Sequence, residues 1–481
     1  MMKFIDDFIN VLPYLNLLFA LLVIFFERRN PSATWAWLMV LLLIPGIGFI
    51  LYLTFGQNLS RKKMFDFKIA EDRFHKKLLL QGKQLSEDTI KFNDRAMTNY
   101  KDMMYMNLIN SQSVFTQDNS VEIYTDGHDK FRELFKSIEE AEDHIHMVYY
   151  IIKNDSLGNK MIDTLARKAS EGVEVRFLYD GMGGLRLPRK FFNKLKNAGG
   201  KVSCFFPSLL PFVNIRVNYR NHRKIVVIDG KTAFVGGFNI GDEYLGENKK
   251  FGYWRDTHLK IVGSAVYALQ QRFLLDWRYA SEEKITFDNK YFPANHPKGQ
   301  IGIQIVSSGP DSEWEQIKNG FVKMIHSAKK SVYIQTPYFI PDESILEALK
   351  IASLSGVDVR IMIPNKPDHP FVYWASLCYI GELLKSGVRS YTYNKGFIHS
   401  KTIVVDAAIS SVGTANMDVR SFKLNFEVNA FIYDVNVSKE LEEIFEEDIK
   451  VSTEITKDLY EKRSAVIKFK ESISRLLSPV L

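Results

Sequence analysis

One pattern, present twice, constrains this chain more than any other feature. The stretch HRKIVVIDGKTAFVGGFN places His222, Lys224, Asp229, Gly236 and Asn239 at offsets 0, +2, +7, +14 and +17. HSKTIVVDAAISSVGTAN repeats the same five residue types at the same offsets as His399, Lys401, Asp406, Gly413 and Asn416. At roughly 5% usage per residue type, one such pattern arises by chance about once per few million starting positions. Two copies in 481 residues therefore mark a duplication, and any function has to be read from the pair.

The texture around the motifs repeats as well. EEAEDHIHMVYYIIKND and HSAKKSVYIQTPYFIPD each read as helix end, strand and turn, and ASEGVEVRFLYDG and ASLSGVDVRIMIPN each read as a Gly-capped helix followed by a buried strand. The capping glycines Gly172 and Gly356 lie 184 residues apart (356 − 172) and the histidines 177 apart (399 − 222). A period this long signals a duplicated domain rather than a solenoid. Two α/β units packed face to face follow, since a sheet with one apolar face has to bury it. Apolar content of 46% with 25% charged residues supports such cores, and the net charge of +7 favours anionic partners. Cys204 and Cys378 form no disulfide framework or metal-ligand spacing and read as core thiols.

In each motif a β-branched run, IVVI or TIVV, follows the histidine and reads as a strand. Side chains two residues apart share a strand face, so each histidine projects with its lysine. The aspartate at +7 has the opposite parity; Asp229 and Asp406 read as strand-end residues holding backbone or basic partners. The glycines let backbone approach closely and deliver Asn239 and Asn416 as amide donors. Two units facing each other would surround one pocket with two imidazoles, two ammonium groups and two amides. Lysine and amide donors suit a phosphoryl group whose charge must be stabilised in a pentacoordinate state. Two histidines suit a two-step displacement, one as nucleophile and one as general acid and base. The lysines supply the positive charge, so the expected site needs no metal. Each histidine requires an orienting partner; Asp256 in YWRDTH and Glu427 in NFEVN, 27 and 21 residues after their motif aspartates, are the candidates. The bland alternative makes them ordinary strand-terminal carboxylates.

The N-terminus predicts a membrane hairpin. No charge interrupts residues 8–26, and a second uncharged stretch over 30–60 has its apolar heart at 35–55. At 1.5 Å per residue, about 19 residues match one hydrocarbon thickness. Pro13 and Pro45-Gly46 leave two readings open, two full spans or a re-entrant hairpin in one leaflet. Arg61, Lys62, Lys63 and Lys68 after the second stretch outnumber Arg28 and Arg29 between the two, which places the remainder of the chain in the cytoplasm.

HxKxxxxDxxxxxxGxxN in duplicate resembles the HKD motif of the phospholipase D superfamily. The strings GGFNIGDEY, YWRDTHLKIVG, IQTPYFIPD and GTANMDVRSFKLNFEVNAFIYD, with the hydrophobic N-terminal pair, narrow the resemblance to the bacterial cardiolipin synthases over nearly the whole chain. One departure is Ala407 after Asp406, in the turn between strands. The resemblance implies two phospholipase D-like α/β/α sandwich units with pseudo-twofold symmetry. It implies His222, Lys224, Asp229, His399, Lys401 and Asp406 as the catalytic set, with His222 as nucleophile and His399 as acid, an assignment the residues themselves leave open. It also implies transfer of a phosphatidyl group from one phosphatidylglycerol to another, no cofactor, and partners limited to phosphatidylglycerol, other anionic phospholipids and the bacterial cell membrane, without nucleic acid. A hydrolytic phospholipase D, a phosphatidylserine synthase, a nuclease and an inactive lipid-binding protein are the competing readings.

The expected division is a transmembrane hairpin over 1–60, charged linker helices over 61–115, a first unit over 116–295, a second over 296–435, and C-terminal helices over 436–481. Arg216 and Arg220, with Asn239 and Asn416, are candidate substrate-binding residues; PSLLPFVNIRVNYR around the arginines reads either as a membrane-dipping loop or as a buried one. Tyr149, Tyr150, Tyr338 and Phe339 end strands and read either as pocket wall or as core. At the C-terminus Val466, Phe469, Ile473 and Leu476 recur at helical spacing among Lys462, Lys468, Lys470 and Arg475. That basic amphipathic helix suits an anionic interface or the protein's own core.

Overall fold

The computed structural model describes residues 14–25, 31–45, 47–55, 72–207, 219–283, 285–294 and 299–478. The β-branched runs form strands, and strand order reveals the duplication. From its outer edge inward, the first half runs Lys201–Phe205, Glu174–Asp180, His144–Tyr149, Ile225–Ile228, Thr232–Gly236, His258–Val262 and Thr116–Tyr124. The second half repeats the series as Arg389–Tyr393, Asp358–Pro364, Ser331–Gln335, Thr402–Val405, Ile409–Gly413, Asn425–Tyr433 and Ile301–Ser308. The innermost strands, Thr116–Tyr124 and Ile301–Ser308, pair antiparallel through an irregular register, so the two series join into one sheet.

Side-chain parity fixes what each face meets. Ile225, Val227, Val235 and Ile261 of the first half share one core with Val404, Val412, Val428 and Ile432 of the second. The alternate residues Val226, Ile228 and Phe234 pack beneath the helices Gly127–Glu139 and Ser156–Ser170. Ile403 and Val405 pack likewise against Phe321 and Leu349 on the second half's helices. Each buried aliphatic side chain of this kind contributes about 1.5–3 kcal/mol, and the core shared by the mixed α/β halves holds them to each other.

Two regions differ in detail from the expectations. The helix Lys101–Ser111, within the expected charged linker, sends Met103, Met104 and Leu108 into the second half's core. Its buried Asn107 also reaches Gln304 and Tyr433 there. Helix Val435–Lys450, placed with the C-terminal helices by the expected division, packs on the second half's strands as Ala265–Ala280 packs on the first half's.

At the N-terminus, helices over 14–25, Pro31–Leu43 and Ile47–Phe55 form a small bundle. The Asn16 amide donates to Leu41 O at 2.9 Å, and Phe19 stacks on Phe49 at 3.8 Å between ring centroids. No helix among the described residues is long and apolar enough to cross a membrane. The second apolar stretch is divided at Pro45, which has no N–H to continue the helix. The outward side chains, among them Leu17, Leu21, Leu42 and Leu43, are exposed.

Candidate active site

Each motif histidine is docked on a strand of the opposite half. Arg220–Asn221 pairs parallel with Asn425–Phe426, and the His222 N–H donates to Phe426 O at 3.0 Å. The second motif mirrors this. Gly396–Ile398 pairs with Tyr253–Arg255, and the His399 N–H donates to Arg255 O at 2.7 Å. One residue further along each partner strand stands a carboxylate, so Glu427 meets His222 and Asp256 meets His399.

His222 Nδ1 lies 2.9 Å from Glu427 Oε1 and 3.1 Å from Thr414 O. Both neighbours only accept, so Nδ1 carries the proton and Nε2 presents a lone pair. His399 Nδ1 lies 2.7 Å from Asp256 Oδ2. Spacing along the chain associates each carboxylate with the motif before it; the structure crosses them. Asp256 is held against Gly237, where an added Cβ would sit 1.9 Å from Asp256 Oδ1, so only glycine permits the approach.

The lysines sit behind the imidazoles. Lys224 Nζ donates to His222 O at 2.7 Å, and Lys401 Nζ donates to His399 O at 2.6 Å while lying 3.0 Å from His399 Nδ1. The expectation of a His-x-Lys pair on a strand needs correction, because the strands begin only at Ile225 and Thr402. The histidines and lysines occupy the segments just before them, whose backbone is bonded across the site. Asp229 and Asp406 stand apart from this chemistry. Asp229 accepts from the backbone N–H groups of Glu142, Asp143 and His144, and Asp406 from those of Lys329, Lys330 and Ser331. Each fixes a turn to the neighbouring strand. Both turns have two consecutive left-handed residues, Asp229-Gly230 and Asp406-Ala407. Ala407 pays a steric cost of roughly 1–2 kcal/mol that Gly230 avoids.

The pocket between the halves has a volume of about 630 Å³ and is lined by His222, His399, Asn239, Asn416, Arg220 and Arg420, with an aromatic wall. Asn239 Oδ1 accepts from the Ile151 N–H at 3.1 Å, which turns its NH₂ group toward Tyr244, 3.2 Å away. Asn416 has a buried carbonyl oxygen without a hydrogen-bond partner. Tyr150 and Tyr338 line the pocket, whereas Tyr149 and Phe339 belong to the core. Arg216 lies outside the described residues. Arg420 was not singled out from the sequence, although the 177-residue offset pairs it with Glu243, also in the pocket wall (420 − 243). That reversal of charge at symmetry-related positions is the signal that could have found it.

Burial governs the electrostatics. Desolvation brings both His222 and His399 down to about 4, against the pull of Glu427 and Asp256 respectively. It brings Lys224 to about 7 and Lys401 to about 8. Burial pushes the carboxyls of Glu427 and Asp256 up, yet the cationic partners outweigh it and both end below their ordinary values. Near neutral pH both imidazoles are therefore uncharged. An entering phosphodiester anion favours protonation of its neighbours, which supplies the proton that a leaving alkoxide requires. Among the described residues no group of three or more His, Cys, Asp or Glu could hold a metal ion.

The chain is similar to known proteins over nearly its whole length. Residues 134–277 and 321–449 match the family described as cardiolipin synthase, PLD-like domain. Residues 15–57 match the one described as phospholipase D-nuclease N-terminal. The chain is 59% identical over 472 residues to the major cardiolipin synthase of Bacillus subtilis (strain 168), covering 97% of each. It is 55% identical to a cardiolipin synthase of Listeria monocytogenes serotype 4b (strain CLIP80459), covering 98% of each. It is 55% identical to one of Staphylococcus aureus (strain Mu50 / ATCC 700699), covering 97% of this chain and 95% of that one. The solved structure of phosphatidylserine synthase from Haemophilus influenzae Rd KW20 superposes with a TM-score of 0.60 at 16% identity, over 80% of this chain and 100% of that one. This last likeness is one of fold.

Proposed function

The chain belongs to the cardiolipin synthase family of phospholipase D-like proteins, and we propose that it transfers a phosphatidyl group between two phosphatidylglycerol molecules. The observation that carries the reading is the pair of imidazoles, each tied to a carboxylate of the other half, facing one pocket.

His222 is the nucleophile. Its Nε2 attacks phosphorus, the bond from phosphorus to the glycerol oxygen breaks, and His399 donates its proton to that oxygen, releasing glycerol. The phosphatidyl group is then bonded to His222. His399, now neutral, takes the proton of a hydroxyl on the second phosphatidylglycerol as that oxygen attacks phosphorus. The P–N bond breaks, and cardiolipin leaves with His222 restored. Lys224, Lys401, Asn239 and Asn416 stabilise the charge on the equatorial oxygens, while Arg220 and Arg420 receive an anionic headgroup. Two histidines, rather than a metal-bound water, deliver nucleophile and proton; cardiolipin formation is accordingly expected to need no divalent ion.

The N-terminal helices anchor the protein in the bacterial cell membrane as a multi-pass hairpin, with the catalytic halves on the cytoplasmic side. Their exposed leucines and the basic cluster Arg61–Lys63 support this reading. Anionic phospholipid is the partner, delivered within the membrane plane.

The full-length protein in mixed micelles with phosphatidylglycerol is expected to yield cardiolipin and glycerol in equal amounts, before and after exhaustive chelation. Phosphatidic acid without cardiolipin would refute the transfer, and loss on chelation restored by a divalent ion would refute the metal-free site.

A further inference from the structure

The C-terminal helix Ala465–Leu476 packs in the reverse of the usual sense. Its inward stripe holds buried Glu471 and Ser474 beside the half-buried Ile467, and Glu471 accepts from Arg463 at 2.7 Å and from Tyr460 at 3.2 Å. Its outward stripe is apolar, with Val466 63%, Phe469 67%, Ile473 39% and Leu476 77% exposed. At 100° per residue these four cluster on the side opposite Glu471 and Ser474. An amphipathic helix docked only on its own body would turn the other way and bury the four.

The helix lies along Pro370–Leu383 and runs in the same direction. Lys470 Nζ stands over the Trp374 ring at 5.4 Å, and Arg475 Cζ over the Tyr379 ring at 4.8 Å. The Val466 end therefore points toward Pro370 and Phe371, both of which line the pocket that holds His222 and His399; Phe371 is itself exposed. Lys462, Lys468 and Lys470 are exposed beside the apolar stripe. Over residues 457–478 six basic residues stand against three acidic ones, a net charge of +3 (6 − 3).

We propose that this helix is a second membrane contact, lying in the headgroup plane of an anionic bilayer with Val466, Phe469, Ile473 and Leu476 inserted. Arg475, paired with Glu382, and Lys470, over the Trp374 ring, hold it to the helix Pro370–Leu383. Apolar insertion and basic flanks act together in such helices, and binding is sensitive to anionic lipid. The contact turns the pocket mouth toward the surface from which lipid enters, a role separate from tethering by the N-terminal hairpin.

The test uses the full-length protein reconstituted in vesicles, with Cys204 and Cys378 replaced by serine and single nitroxide labels at 466, 468, 469, 472, 473 and 476. In phosphatidylglycerol vesicles, labels at 466, 469, 473 and 476 are expected to be sheltered from an aqueous nickel chelate and open to oxygen. Labels at 468 and 472 are expected to show the converse. Shelter is expected to weaken in vesicles of phosphatidylcholine alone. Uniform access to nickel overturns the proposal, as does equal shelter on the neutral lipid. Spin–spin broadening at 469 that disappears on dilution with unlabelled protein overturns it too, in favour of a second copy of the chain. Serine at all four apolar positions is further expected to lower turnover on vesicles about tenfold while changing turnover on soluble short-chain substrate less than about twofold; equal loss on both substrates overturns the role. The accessibility pattern needs no turnover, so it stands or fails independently of the proposed activity.

Discussion

Asparagine or alanine at His222, and separately at His399, is expected to lower cardiolipin formation by at least about 10⁴-fold. The two positions carry different steps, yet loss of either halts the cycle. Without His222 no nitrogen attacks phosphorus. Without His399 the glycerol oxygen must leave as an unprotonated alkoxide. Both rings are buried and bonded to carboxylates, so alanine also leaves a carboxylate without its partner; asparagine preserves more of the contact. Steady-state turnover with labelled phosphatidylglycerol measures the effect, and an unchanged melting temperature for the asparagine variants separates chemistry from folding. Turnover above about 1% in either asparagine variant would remove that histidine from the mechanism.

Glu427→Gln and Asp256→Asn are expected to cost about 10²–10⁴-fold each, although neither residue lines the pocket. The amide keeps the size of the carboxylate and reverses its role. Its NH₂ group donates toward Nδ1, so the ring carries its proton on Nε2. For His222 that removes the nucleophilic lone pair; for His399 it misplaces the group that must exchange a proton with the alcohol. The imidazolium formed during turnover also loses its compensating charge. Glu427→Gln is therefore expected to abolish the rapid burst of glycerol release that reports formation of the covalent intermediate. Asp256→Asn slows both the burst and the transfer to the second lipid. An amide variant that keeps a tenth or more of wild-type turnover would show that its carboxylate is structural only.

The half-sites were legible in the sequence because their information is local. IVVI and TIVV are β-branched runs that form strands, and the fixed offsets expose the duplication. The crossing of the carboxylates was not legible. It depends on Asn221 meeting Phe426 and Ile398 meeting Arg255, pairings between chain segments about 140–200 residues apart, and nothing in either segment encodes its partner. The same reason hid the place of Lys101–Ser111, a segment expected only as part of the charged linker, whose methionines find their neighbours in the second half's core. Arg420 escaped for a different reason: the duplication drew attention to what the halves share, and a pocket that must hold two chemically unequal groups is also shaped by where they differ.

The central claim is that transfer proceeds through a bond between phosphorus and one of two histidines brought together from separate halves. The stereochemical course at phosphorus tests it most directly. Each in-line displacement inverts the centre, so two of them restore it. Phosphatidylglycerol made chiral at phosphorus with oxygen isotopes or sulfur is predicted to give product with overall retention. Overall inversion would mean that the second lipid attacks the first directly, and would contradict the covalent intermediate on which this account rests.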